Sequence, residues 1–305
     1  MPGEQMNSAN KPLSADGRTY HVEVKEGEVA NRIITVGDAK RARALAQHLD
    51  RILFERESHR GFVTITGVYR NLPVSIIAIG MGPAMMDFFV REVRMVVRGP
   101  LTIVRFGSCG SICNATTGDV IVATGAFAIT RNYKFFDQQK QADAPYILWP
   151  AVPSDTRLTR AVSANLAQPL GAEHVYSGLV GNADSFYSSQ GRTGGDFYDA
   201  NGDLLDTVRT TYSDAVALEM ECHMLLHLAQ TSTGPDGTRP PSIRAACALM
   251  VFADRTGNTF ISPETSTIIV RTAARAILDA LIDDKPSQDA LHPTAGSVWE
   301  GELGA

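Results

Sequence analysis

Apolar residues follow two rhythms along this chain. Short, largely apolar runs at residues 31–37, 62–66, 74–79, 101–106, 120–124, 175–181 and 243–252 read as buried strands. Between them lie stretches in which apolar positions recur every three or four residues, which predicts helices over 38–49, 85–97, 222–229 and 263–282. In the first helix Ala42, Leu45, Ala46 and Leu49 share one face, and Asp38 is placed to cap it. In the last, Ser262 stands at the cap, Pro263 at the first helical position, and Ile269, Ala273, Ile277 and Leu281 line one side. Helices interleaved with hydrophobic strands require a sheet covered on both faces, so the expected fold is α/β, a single-domain three-layer α/β/α sandwich.

No linker or repeat divides residues 21–283. Residues 1–20 are polar, without an apolar targeting core, and read as a mobile N-terminal tail; residues 284–305, with Lys285, Pro286 and a Gly/Ser-bearing run, read as a loose C-terminal tail. The Gly/Pro-rich residues 231–241 read as a surface loop. With 305 residues, 44% of them hydrophobic and 20% charged, the chain can bury a large core. A formal charge of -5 and the lack of a basic block argue against a nucleic-acid partner. No stretch is long and apolar enough to span a bilayer, so a membrane partner is not expected either, and the expected location is cytoplasmic. The four cysteines, Cys109, Cys113, Cys222 and Cys247, show no zinc spacing and read as reduced thiols.

Chemistry concentrates first at residues 105–112, RFGSCGSI. Arg105 closes a buried strand, where an unpaired guanidinium would be costly, and the glycines after it suggest a turn whose N–H groups and Ser108 hydroxyl could hold an anion. An edge-strand arginine paired with a carboxylate fits the same residues equally well. Another strand ends at Gly37 just before a helix, so free amides, the helix dipole and Arg41 could cradle a phosphate. A solvated helix arginine is the ordinary alternative.

Five segments, GDAKRA (37–42), SHRGF (58–62), RFGSCGSI (105–112), ADSFYSSQGR (183–192) and ALEMECHML (217–225), occur in the order and at roughly the spacing of the nucleoside phosphorylase family. The chain resembles that family from about His21 to about Leu281, and most of all its uridine phosphorylase branch. The resemblance implies the same sandwich with a central mixed sheet and a pentosyltransferase that cleaves uridine with phosphate, giving uracil and ribose 1-phosphate in pyrimidine salvage. It implies no cofactor and no metal, with inorganic phosphate as co-substrate and the nucleoside as the other small-molecule partner. Gly37, Arg41, Arg105 and Ser108 would bind phosphate, with Arg60 reaching in from a neighbouring subunit.

By the same resemblance Ser108, Cys109, Gly110 and Phe186 would lie beside the nucleoside, with Gln190 and Arg192 on the base. Gln190 presents a donor and an acceptor on one amide, the complement of the uracil ring N–H and its adjacent carbonyl. Arg192, two positions on along an extended chain, would stabilise charge arriving on the departing base. Leu218, Glu219, Met220 and Glu221 fall at a strand-to-helix junction, where Glu221 would accept from the ribose hydroxyls. His21 would be lent by the adjacent subunit to the 5′-hydroxyl, which makes a homodimer the minimum assembly. Arg255 aligns with the branch's base-side arginine and is expected among the catalytic groups with Arg105, Gln190 and Arg192. A register slip of one would put Asp254 there instead and tilt the preference towards purines.

Departures from the family pattern are Gly61, where relatives often carry a cation-binding glutamate, and GMGPA with Pro83 one residue early. Residues 193–202, rich in Gly and Asp, read equally as a lid and as a passive loop. A hydrolytic nucleosidase of the same fold would not need this many arginines around an anion. A dinucleotide-dependent oxidoreductase would need GxGxxG after its first strand, where this chain has VGDAKR.

Overall fold

The computed structural model describes residues 5–137, 144–232, 242–283 and 290–303. Its strands are β1 (Arg32–Val36), β2 (Arg51–Glu57), β3 (Val63–Tyr69), β4 (Leu72–Ala78), β5 (Leu101–Ser111), β6 (Val120–Arg131), β7 (Tyr146–Leu148), β8 (Val152–Pro153), β9 (Val175–Ala183), β10 (Ala215–Glu219), β11 (Ile243–Asp254) and β12 (Thr259–Phe260). The helices are α1 (Ala39–Ala46), α2 (Pro83–Val96), α3 (Tyr133–Phe136), α4 (Thr156–Leu170), α5 (Leu204–Thr211), α6 (Cys222–Thr231) and α7 (Pro263–Ile282). One mixed sheet runs β12-β11-β6-β9-β10-β5-β1-β4-β3-β2. The core splits between its two faces, with α2 and α6 packed on one and α1, α4 and α7 on the other, which is the expected three-layer arrangement. Among the described residues no helix is long and apolar enough to cross a membrane.

Local sequence explains the caps. Asp38 accepts from the Arg41 N–H at 2.8 Å, and Ser262 accepts from Thr265 at 3.1 Å, so both helices begin where a side-chain oxygen satisfies an orphan donor. Periodicity did not disclose α4, α5 or β2. The buried face of α4 holds only Leu158, Val162 and Leu166, and β2 is a largely exposed, charged strand at the end of the sheet.

The sheet also curls. β11 pairs with β5 in parallel from Ile243↔Leu101 to Asp254↔Ser111, so β5, β11, β6, β9 and β10 close on one another while β1, β4, β3 and β2 fan outwards. On its other edge β5 pairs with β1 as far as Arg105 and with β10 only from Gly110. Residues 106–109 therefore lie where β5 changes neighbours, and a crevice opens there.

Both expected tails are packed in their described parts. Arg18 makes a two-pronged contact with Glu28, at 2.6 Å on each oxygen, and Leu13 bridges Thr19. At the other end Trp299 is 1% exposed, which removes a large aromatic surface from water. His292 donates its N–H to Asn31 at 2.9 Å and accepts from Arg98 at 3.0 Å, while Val298 donates to Gly27. Gly99, at φ +75°, leaves room for the Ala290 carbonyl, which would lie 1.8 Å from any Cβ there. This packing differs from the mobile N-terminal and loose C-terminal tails expected, because composition does not show that Arg18 meets Glu28 or where Trp299 docks. Lys285, Pro286 and residues 233–241 of the expected surface loop lie outside the described residues.

Candidate active site

The segment expected to turn after Arg105 does not turn. GSCGS continues β5, its glycines adopt no positive φ, and its far edge is laddered to β11. Glycine is needed for space: a Cβ on Gly107 would meet the Leu249 side chain at 2.9 Å and Arg105 Nε at 3.1 Å, and one on Gly110 would meet Arg255 at 3.3 Å. The strand thus leaves room for the Arg105 guanidinium at Gly107 and for the aliphatic stem of Arg255 at Gly110.

A cleft of about 610 Å³, counting its open mouth, lies over this part of β5. Gly37, Arg41, Arg105, Ser108, Phe186, Gln190 and Arg192 line it together, with Cys109, Gly110, Leu218, Glu219, Met220 and Glu221 completing the expected residues that meet there. Met81, Phe252, Ala253 and Phe260 also line it and were missed, since no polar or glycine signal singles them out.

Arg105 is 3% exposed and bonds Glu221 through one terminal nitrogen. Its Nε and its other terminal nitrogen have no hydrogen-bond partner among the described residues. Leaving two charged donors buried and unmet costs several kcal/mol, so the site calls for an anion. Burial opposes the Arg105 charge, but Glu221, Cys222 and Glu219 outweigh it and hold its pKa above the usual value. Arg41, on α1, donates to the Phe106 carbonyl at 3.2 Å, packs its guanidinium 5.6 Å from the Phe252 ring centre and has its pKa lowered by burial.

Glu221 ties Arg105 to the start of α2. Its second oxygen accepts from the Gly82 N–H at 2.6 Å. Gly82, at φ 98°, is the residue before α2, and Pro83 occupies the first turn of that helix, so with the shifted proline Gly82 still delivers its N–H to the site. Glu219, at the end of β10, accepts from the Glu221 and Cys222 N–H groups at the start of α6. Burial, with Glu221 alongside, raises its pKa to about 7.

Gln190 is 2% exposed and its Oε1 accepts from Arg192 at 2.8 Å. The chain there is not extended as expected: Ser188–Gln190 form a 3-10 turn and Gly191 is left-handed, which brings the two side chains together. Arg192 also donates to the Phe186 carbonyl at 2.5 Å and lies 3.6 Å from the centre of its ring. Burial, with Arg255 adding, lowers its pKa to about 10, which leaves it charged at neutral pH.

Three expected residues are not in the cleft. Arg255 instead donates to the Gln190 and Gly191 carbonyls at 2.8 and 3.1 Å and lines an adjoining cavity, so it buttresses the turn from behind. Asp254 is spent on its own loop, accepting from Thr256 and Gly257. His21 and Arg60 lie outside their own chain's cleft, in one neighbourhood where Tyr20 packs edge-on against both His21 and His59. Residues 193–202 are anchored: Asp199 pairs with Arg131 at 2.5 Å, and Asn201 donates to the Ser188 and Arg192 carbonyls at 3.0 and 2.8 Å. Among the described residues no cluster of His, Cys, Asp and Glu is arranged to hold a metal.

Comparison with known proteins places this site in a family. The chain is 29% identical to a uridine phosphorylase of Thermococcus kodakarensis over 286 residues, 92% of this chain and 94% of that one. A solved structure of a uridine phosphorylase from the oomycete Phytophthora capsici superposes with a TM-score of 0.85 at 35% identity, covering 92% of this chain and all of the other. A purine nucleoside phosphorylase of Shewanella oneidensis is 33% identical over only 136 residues, 44% of this chain and 57% of its own. The family model of the phosphorylase superfamily matches residues 31–283. Because that match runs from the first strand of the sheet to the end of its last helix, through every wall of the cleft, the chain belongs to the phosphorylase superfamily.

Proposed function

We propose that the protein is a uridine phosphorylase, a pentosyltransferase that cleaves uridine with inorganic phosphate to uracil and ribose 1-phosphate. The observation that carries this reading is the pair of unmet donors on buried Arg105, set in the same cleft as an amide–guanidinium pair suited to a pyrimidine edge. Phosphate would be held by Arg105, Arg41, Ser108 and the Gly37 end of β1. A phosphate oxygen forms a bond to C1′ as the C1′–N1 bond breaks and its electron pair passes to the base. Positive charge develops on the sugar, as in related glycosyl transfers, and the phosphate together with the Glu221 carboxylate would stabilise it. Arg192 and Gln190 meet negative charge arriving on the uracil and favour the departing base over the neutral substrate.

The purine alternative loses its acid, because the Asp254 carboxylate is engaged by two loop N–H groups outside this cleft. His21 and Arg60, too far from their own cleft to line it, would complete the cleft of a second copy, so the reading includes a homodimer at least. The deciding experiment incubates the purified protein with uridine or inosine, with and without phosphate. Uracil and ribose 1-phosphate are expected only with uridine and phosphate together. Phosphate-independent release of free ribose, or preference for inosine, would overturn the assignment.

A further inference from the structure

We propose that Glu92 is a positioning residue that fixes His21 with its Nε2 presented as a hydrogen-bond acceptor for the 5′-hydroxyl of a nucleoside held by a second copy of the chain. The proposal rests on the reading of His21 given above and adds the device that makes the histidine fit for that contact.

Glu92 lies on α2 and is 5% exposed, an unusual place for a carboxylate. Among the described residues the one basic side chain within reach of it is His21. Both of its oxygens lie 3.0 Å from the His21 main-chain N, one is 2.8 Å from the Val22 N, and Oε1 is 2.6 Å from His21 Nδ1. A carboxylate facing Nδ1 demands a proton there, so the neutral ring keeps Nε2 as its acceptor. No group among the described residues bonds Nε2.

The ring plane is fixed by the same helix. Phe88 precedes Glu92 by one turn, on the same face of α2, and stacks on His21 with centroids 3.9 Å apart and planes 14° from parallel. Tyr20 closes the remaining side edge-on at 4.8 Å. Tyr20 also touches His59, whose ring and main-chain N–H are both held by Glu23, and Arg60 is the next residue. The two groups proposed to serve the second copy therefore sit on one braced patch, and α2, which holds His21, also begins just after Gly82, which bonds Glu221 of its own cleft.

Glu92→Gln is the informative change. The amide oxygen can keep the main-chain N–H bonds while the NH2 group turns to Nδ1, which would move the ring proton to Nε2 and convert the acceptor into a donor. The test measures kcat/KM for phosphorolysis of uridine and of 5′-deoxyuridine by the wild type, E92Q, H21A and the double variant. Reading the ratio of the two substrates on one preparation cancels any loss of folded protein. The wild type is expected to prefer uridine, and E92Q to reduce that preference about tenfold, the worth of one hydrogen bond to a well-placed partner. Adding E92Q to H21A should change the ratio no further.

An equal loss on both substrates in E92Q, or additive effects in the double variant, would overturn the positioning role while leaving the phosphorylase reading intact. A wild type indifferent to the 5′-hydroxyl would overturn the His21 assignment and this proposal with it, and a wild type inactive on uridine with phosphate would overturn the function itself. Should E92Q fail to fold, Phe88→Leu, which removes the stacking alone, must shrink the same ratio; an unchanged ratio there counts against the proposal.

Discussion

Arg105 and Glu221 neutralise each other in the interior, yet two donors of the arginine remain open. That inequality separates a structural ion pair from a binding site. Arg105→Ala is expected to abolish phosphate-dependent turnover and also to destabilise the fold by about 3–5 kcal/mol, because it strands a buried carboxylate. Arg105→Ala combined with Glu221→Gln should regain much of that stability and none of the activity, as read by urea unfolding beside a phosphorolysis assay. Glu219 adds a pH dependence. Its folded-state pKa of about 7 lies above the ordinary carboxylate value, so the native state binds a proton that the unfolded chain releases earlier. Its contribution to stability is full below about pH 4.5 and is lost as the pH rises through 7, an interval worth about 3 kcal/mol. Glu219→Gln should flatten the unfolding free energy across that interval, and an unchanged slope between pH 5 and 7.5 would refute the assignment.

Among the elements, the short turn Ser188–Gln190 has the most to lose, since three residues packed on β6 and α5 set the position of the proposed base-binding side chains. Asn201 secures it from one side through two carbonyls and Arg255 from the other through two more. Asn201→Ala should raise KM for uridine about tenfold while leaving the affinity for phosphate near its original value, because the lost bonds are worth about 1–2 kcal/mol and touch only this turn. Initial rates over a grid of both substrates separate the two effects. Equal changes in both would mean that residues 193–202 support the whole cleft. Elements with strong periodicity, such as α1 and α7, were legible from sequence because cap and apolar face agree. The turn was not, since the approach of Arg192 to Gln190 depends on a left-handed Gly191 that no hydrophobic pattern reveals.

For the whole molecule, the segments beyond the family match at either end meet each other: Val298 donates to Gly27, and Gly296 packs on Gly27 so closely that a Cβ there would lie 2.6 Å from its carbonyl oxygen. The C-terminal strap thus secures the stretch that leads from His21 into β1. Trp299→Ala should cost about 3–5 kcal/mol, the usual loss for a large buried aromatic, and lower the midpoint of thermal unfolding by several degrees. If that midpoint is unmoved, the strap is an ornament on the fold.

Sequence alone determined the alternation of strands and helices, the capped helices and the charge buried at Arg105, because periodicity, capping and charge in a buried run are local properties, whereas Gln190 and Glu221 were singled out only by resemblance to a family. It could not decide that GSCGS stays in a strand, that Arg255 faces a backbone turn, or that the C-terminal residues wrap the sheet. Each of those depends on which distant group fills the space beside the residue: Leu249 and Arg105 beside Gly107, the Gln190 carbonyl beside Arg255, and the pocket that takes Trp299. The first of these follows from the pairing of β5 with β11 in the closed curl and the last from the packing of the C-terminal residues beside β1 and β4, long-range contacts that no window of sequence contains.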